Sequence, residues 1–238
     1  VFPCALAVMN AFLDYLGGQN ITVSGCGIRE GIMFNYAVPT TLDKPIADVL
    51  GHDIRTFIKA LNLNEQHADQ TFNLCVQLFK QLRVLHKFPR AYVRVSRIAA
   101  MLYDIGKIFK FYNFSKHTSY MILHSNLFGA SHRDIVLAAY VCDMYSKEEA
   151  SLSEWVLFKP VLLDEDYEAV KKLAVILRLA VALDKSSSKV VSEINCDVLG
   201  DSVIMKLEIS GDASLELKEA NQVALDFRKV FKKNLEIL

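Results

Sequence analysis

The sequence lacks a surplus of either charge: Lys and Arg total 27, Asp and Glu total 27, and the formal net charge is zero. A strong global field is therefore not expected, nucleic acid is not an expected partner, and any polyanion binding must come from a local patch. Cysteine is sparse and scattered. Cys4, Cys26, Cys75, Cys142 and Cys196 are odd in number, far apart and mostly in apolar surroundings, with no CxxC or CxxxC pair. That spacing argues against a disulfide framework or a zinc module and suits reduced thiols in a cytoplasmic protein. Asp, Lys or Arg interrupts every apolar run before the roughly 20 residues a membrane span needs, so no membrane partner is expected. Internal repeats and low-complexity segments are missing, as are a P-loop, a GxSxG elbow, an HExxH helix and a GxGxxG turn, so the common nucleotide and hydrolase motifs offer no reading. The opening Val1-Phe2-Pro3 has neither an initiator Met nor a signal-peptide pattern and reads as the start of a piece of a longer chain.

What is present is apolar and periodic. With 52% hydrophobic and 23% charged residues, the chain can bury a substantial core. Residues 4–16 have helical spacing and stop at Gly17-Gly18. A short β-branched strand at Ile21-Thr22-Val23-Ser24 follows, then a turn into Ile28–Met33. After a loop at Ala37–Asp43, with Asp43 as cap and Pro45 in a first turn, helical patterns occupy about 45–61, 64–85, 90–106, 116–127 and 131–145. Asn64 and Ser131 are candidate helix caps. Residues 146–166 are irregular, and a Leu-, Ala- and Val-rich helix covers about 165–183. The period then changes: 190–198 and 202–209 alternate as strands around a Gly200-Asp201 turn, a second turn falls at Gly211-Asp212, an amphipathic helix spans 220–233 and a last strand 235–238.

The chemistry-bearing stretch is Ile98–Tyr120, IAAMLYDIGKIFKFYNFSKHTSY. A hydrolase of the HD type gathers imidazoles and carboxylates on facing helices around a divalent ion that activates water. Here His86 (VLHKF), Asp104 (LYDIGK), His117 (KHTSY) and Asp184 (LAVALDKS) are the candidate ligands. Lys80, Arg83, Lys87, Arg90, Arg94 and Arg97 form a basic cluster over two neighbouring helical segments, with Lys107, Lys110 and Lys116 close behind. That cluster reads either as a solvated face or as a track for a phosphate chain, since both cations bind phosphate oxygens well. The aromatic run Phe109, Phe111, Tyr112 and Phe114 reads as core material rather than a platform for bases. His124 and His132 read as ordinary surface or capping residues.

In order along the chain, these contexts resemble the exopolyphosphatase and guanosine pentaphosphate phosphohydrolase (Ppx/GppA) family. ITVSGCGIREGIMFN resembles the end of its actin-like domain, although Arg29 and Glu30 also suit a plain helix-surface pair. The segments from about Leu82 to Leu183 resemble its HD-like domain. The departures fall on imidazoles: Tyr103 stands where the family pattern has the His of the His-Asp pair, Phe114 and Ser115 where its turn is His-rich, and Tyr145 where it has Tyr-His-Arg-Lys. A phenol that ionises near pH 10 is a poor divalent-metal ligand at neutral pH, so these four candidates read as a relic, with no catalytic residue and no resident cofactor in this stretch.

The resemblance implies a mainly α fold: residues 1–38 a remnant of an actin-like domain, 39–188 an HD-like helical domain, and 189–238 a small α/β cap. It implies a cytoplasmic parent enzyme that uses magnesium to hydrolyse terminal phosphates of inorganic polyphosphate or guanosine pentaphosphate. This portion would then be non-catalytic, binding polyphosphate through the basic cluster, contacting its own upstream actin-like domain and forming a homodimer. The alternatives are a metal-dependent HD-type phosphohydrolase acting on a nucleotide, and a regulatory domain sensing a nucleotide through His86, Asp104 and His117.

Overall fold

A computed structural model describes residues 2–21, 27–37, 46–146 and 152–238. The chain divides into two compact units, 1–47 and 48–238. The first holds α1 (Phe2–Leu16) and α2 (Ile28–Ala37). α1 ends where the Gly18 amide donates to the Leu13 carbonyl, and α2 opens with the Gly27 amide donating to Glu30 Oε2 at 2.7 Å, so Glu30 caps its own helix. The strand expected at 21–24 and the Asp43–Pro45 cap fall, apart from Ile21, outside the described residues.

The second unit is mainly helical with a small three-stranded sheet at its C-terminal end. In chain order it contains α3 (Val49–Ala60), α4 (Glu65–Gln81), α5 (Arg83–His86), α6 (Tyr92–Leu102), α7 (Phe114–Leu123), α8 (His132–Asp143), α9 (Leu152–Leu157) and α10 (Asp166–Ala182). Then follow β1 (Val191–Leu199), β2 (Ser202–Ile209), α11 (Ser214–Phe231) and β3 (Asn234–Ile237). Two helix starts follow caps legible in the sequence, while α3 begins later than the expected start at about residue 45. Asn64 accepts from the His67 amide at 3.1 Å, and Ser131 and Asp134 form a reciprocal capping box. α3 starts at Asp48, whose carboxylate accepts from the Gly51 amide.

α10 is the central helix. Its run from Leu173 to Ala182 is buried at every position: apart from Arg178, which pairs with Asp226 of α11, it is apolar all round and has no face to give to water. α4, α6, α8 and α11 pack about it, and Leu74, Ile98, Leu102, Leu137, Leu179 and Phe227 are fully enclosed. A second anchor is polar. Asp166 is fully buried and takes a bidentate contact from Arg133 (2.6 and 2.9 Å), a hydrogen bond from Tyr92 Oη (2.7 Å) and one from the Leu163 amide (2.7 Å). Burial alone would raise its carboxyl, but these donors hold it below the ordinary value.

The sheet has order β1-β2-β3, with β1 and β2 antiparallel and β2 and β3 parallel. Glutamines from α4 cover the outer edge of β1. Gln77 donates to the Ser192 carbonyl (3.1 Å) and accepts from the Ile194 amide (2.8 Å), as a neighbouring strand would. Gln70 donates to the Val191 carbonyl (2.8 Å), and Gln81 continues the row at Cys196 and Asn195. Side-chain amides thus close an edge that would otherwise offer unpaired backbone groups. Residues 214–217, beyond the second turn, are the first turn of α11.

Candidate functional site

The site is best built from the turn at Asp104-Ile105-Gly106. α6 ends at Leu102 and a 3₁₀ turn runs from Ile105 to Ile108. Gly106 is required here because a Cβ would sit 2.1 Å from the Phe114 carbonyl oxygen and 2.6 Å from the Thr118 amide. The Thr118 hydroxyl accepts from the Gly106 amide (3.0 Å) and donates to the Tyr103 carbonyl (2.9 Å), fixing the start of α7 against the end of α6. The motif that resembles a metal-site turn therefore has a packing role of its own.

Tyr103, almost fully buried, points its hydroxyl at His67 Nε2, 2.7 Å away, while His67 Nδ1 lies 2.7 Å from Asp184 Oδ2. A carboxylate only accepts, so Nδ1 carries the proton, and Nε2 accepts from the phenol. Burial pushes the Tyr103 hydroxyl above its ordinary value, reinforced by the charges of Asp104, Tyr145 and Asp184, which keeps it a donor. Asp184 is fully enclosed, and its other oxygen accepts from the Lys189 amide at 3.0 Å. It thereby shapes the turn leaving α10, in which Ser187 and Lys189 take left-handed backbone angles (φ 56° and 54°).

The groups form a line: carboxylate, imidazole, phenol. A divalent ion needs its donors to converge on one point, and here the phenol occupies the outward nitrogen of His67 while the carboxylate is spent on the inward one. Among the described residues no group of three or more His, Cys, Asp and Glu is disposed to hold a metal ion. The donor set does not fit one. Around Tyr103 the space is filled by rings, Tyr145 at 5.5 Å and Phe114 at 6.5 Å between centroids. The Lys107 ammonium lies over both Tyr103 and Phe114, within reach of Asp104 at 3.4 Å. Burial pushes the Tyr145 hydroxyl up to about 12.

The four candidate ligands are not brought together. Asp184 joins the relay, and Asp104 flanks it while paired with Lys107. His86 sits apart between Phe79 and Phe88, its Nε2 donating to the Phe79 carbonyl (2.7 Å) and its Nδ1 accepting from the Phe88 amide (2.9 Å). His117 lies beside Phe109 on the outer side of α7. His67, which is not among the candidate ligands named from the sequence, takes the central place. The available signal was only that an HD set needs an imidazole upstream of the Tyr103-Asp104 pair, a condition that His52, His67 and His86 all meet.

The basic cluster divides in two. Arg97 pairs with Asp48 at 2.6 Å and lies over Phe72; a Cβ at Gly51 would collide with its guanidinium, so it is a packing element. Arg94 pairs with Asp134 at 3.4 Å. Lys80, Arg83, Lys87 and Arg90 are exposed, and no carboxylate among the described residues pairs with them.

Residues 52–229 match Ppx/GppA phosphatase, domain III. The chain belongs to the Ppx/GppA phosphatase family. It is 27% identical over 123 residues to the guanosine-5'-triphosphate,3'-diphosphate pyrophosphatase of Aeromonas hydrophila, covering 51% of this chain and 24% of that protein. It is 23% identical over 210 residues to the protein of the same name from Vibrio vulnificus, covering 87% of this chain and 40% of that one. The chain thus spans less than half the length of the curated relatives it matches. No helix among the described residues is long and apolar enough to cross a membrane.

Proposed function

We propose that this chain is the non-catalytic, C-terminal portion of a cytoplasmic phosphatase acting on terminal phosphoanhydride bonds of inorganic polyphosphate or guanosine pentaphosphate, and that its own contribution is to bind the polyanion. The observation that carries the reading is the contrast within one domain. The His67–Tyr103–Asp184 line spends both imidazole nitrogens internally, whereas Lys80, Arg83, Lys87 and Arg90 stand exposed on consecutive elements without carboxylate partners among the described residues. Four such cations in a neutral protein make a local positive face suited to a phosphate chain. Residues 1–38 belong, in this reading, to an actin-like domain whose remaining parts hold the catalytic groups and magnesium; residues 39–188 are HD-like, and the parent enzyme is a dimer.

The test is binding of inorganic polyphosphate at two salt concentrations to the native chain and to Arg83→Glu/Arg90→Glu. Binding that weakens with salt and drops at least tenfold in the double variant is expected. Binding unchanged by charge reversal would sink the proposal.

A further inference from the structure

The aromatic run after the 3₁₀ turn is not core. Phe109, Phe111, Tyr112 and Tyr120 are 70%, 69%, 75% and 65% exposed, and of the run from Phe109 only Phe114 packs inward. The reason is local: the chain leaves the turn at Ile108 and re-enters the bundle only at Asn113, whose left-handed φ of 58° redirects it into α7. Large rings held in water on one face mark a surface that meets something.

The chemistry around them narrows what that is. No Asp or Glu occurs between Asp104 and Asp134, while Lys107, Lys110 and Lys116 interleave with the aromatics. Beside the run lies an open cavity of about 450 Å³ lined by Phe57, Phe109, His117, Tyr120, Met121 and His124. His117 faces Phe109 at 6.2 Å and His124 stacks by Tyr120 at 4.3 Å. His67 and His86 use both ring nitrogens internally. Those of His117 and His124 have no hydrogen-bond partner among the described residues, so their edges stand open to a ligand.

We propose that this face binds single-stranded nucleic acid. The exposed rings would stack successive bases, the open imidazole edges would meet base edges, and Lys110, within a stretch of sequence free of Asp and Glu, would receive phosphates. The rings extend past the cavity to Phe111 and Tyr112, which suits several consecutive bases better than a single one. A second copy of the chain is a poor occupant, because a two-fold contact sets the acid-free stretch and its Lys110 against themselves. The proposal does not depend on the polyphosphate reading, whose cations lie on α4, α5 and the segment leading into α6.

Fluorescence anisotropy with a labelled oligomer of about ten nucleotides, a length typical of single-strand sites, tests it on the native chain, with oligo-U and oligo-dT as separate arms and a duplex of the same length as control. The single strands should bind at least tenfold more tightly than the duplex. Phe109→Ala/Tyr120→Ala, both exposed and harmless to folding, should weaken single-strand binding at least tenfold while leaving polyphosphate binding intact; Arg83→Glu/Arg90→Glu should do the reverse. A preference for oligo-U would assign RNA, equal binding either polymer. The proposal fails if neither strand binds, if the duplex binds equally, or if the aromatic variant binds like the native chain. It also fails if sedimentation shows a dimer that Tyr120→Ala dissolves, since the face would then belong to a second copy.

Discussion

At Tyr103 a single ring decides what the site can do. Its hydroxyl satisfies His67 Nε2 in a part-buried place, so Tyr103→Phe should leave an imidazole nitrogen without its partner and cost about 1 kcal/mol in chemical denaturation. His67→Ala should cost more, about 3 kcal/mol, because it leaves the enclosed Asp184 carboxylate with only the Lys189 amide. A Tyr103→Phe variant as stable as the native chain would contradict the relay. His86 carries a pH dependence of the opposite origin. Burial lowers its pKa below the ordinary 6.5, opposed by the hydrogen bond to the Phe79 carbonyl and aided by the charges of Lys172 and Arg83. The folded state therefore favours the neutral ring, so stability is full above pH 6.5 and falls as pH drops from there toward the lower folded value. Denaturation midpoints measured from about pH 7 to pH 5 should decline, and His86→Gln should flatten that slope.

The elements were legible where one period dominated. Most helices in the second unit and the β1–β2 hairpin follow from apolar spacing and caps such as Asn64 and Ser131, whereas α9 falls in the stretch read as irregular and α11 begins six residues before the expected start at 220. The aromatic run misled because ring residues usually signal burial, whereas here a 3₁₀ turn and the left-handed Asn113 hold three of them out of the bundle. The glutamine row was invisible for another reason: Gln70, Gln77 and Gln81 share a face of α4, but nothing local shows that a strand more than 100 residues later lies against it. Gln77→Ala removes the partner of one amide and one carbonyl on β1 and should cost about 1 kcal/mol. Gln77→Glu keeps the acceptor for Ile194 but loses the donor to Ser192 and should cost less. Equal stability of both variants and the native chain would show that the edge needs no cover.

Across the whole chain, the family was readable because several short contexts occur in the right order. The site was half readable. Asp104, Asp184 and the substituted Tyr103 could be named from local context, but choosing His67 over His86 required knowing which imidazole faces the gap between α6 and α10, a contact between residues 36 positions apart. The account rests on the claim that this centre is a hydrogen-bonded relay and that the chain works through its surface. Equilibrium dialysis of the purified chain against manganese, with phosphate release from a nucleoside triphosphate followed in parallel, tests that claim most directly. It predicts no stoichiometric metal and no metal-dependent phosphate release. One manganese per chain, lost in His67→Ala and accompanied by phosphate release in the native protein, would contradict it.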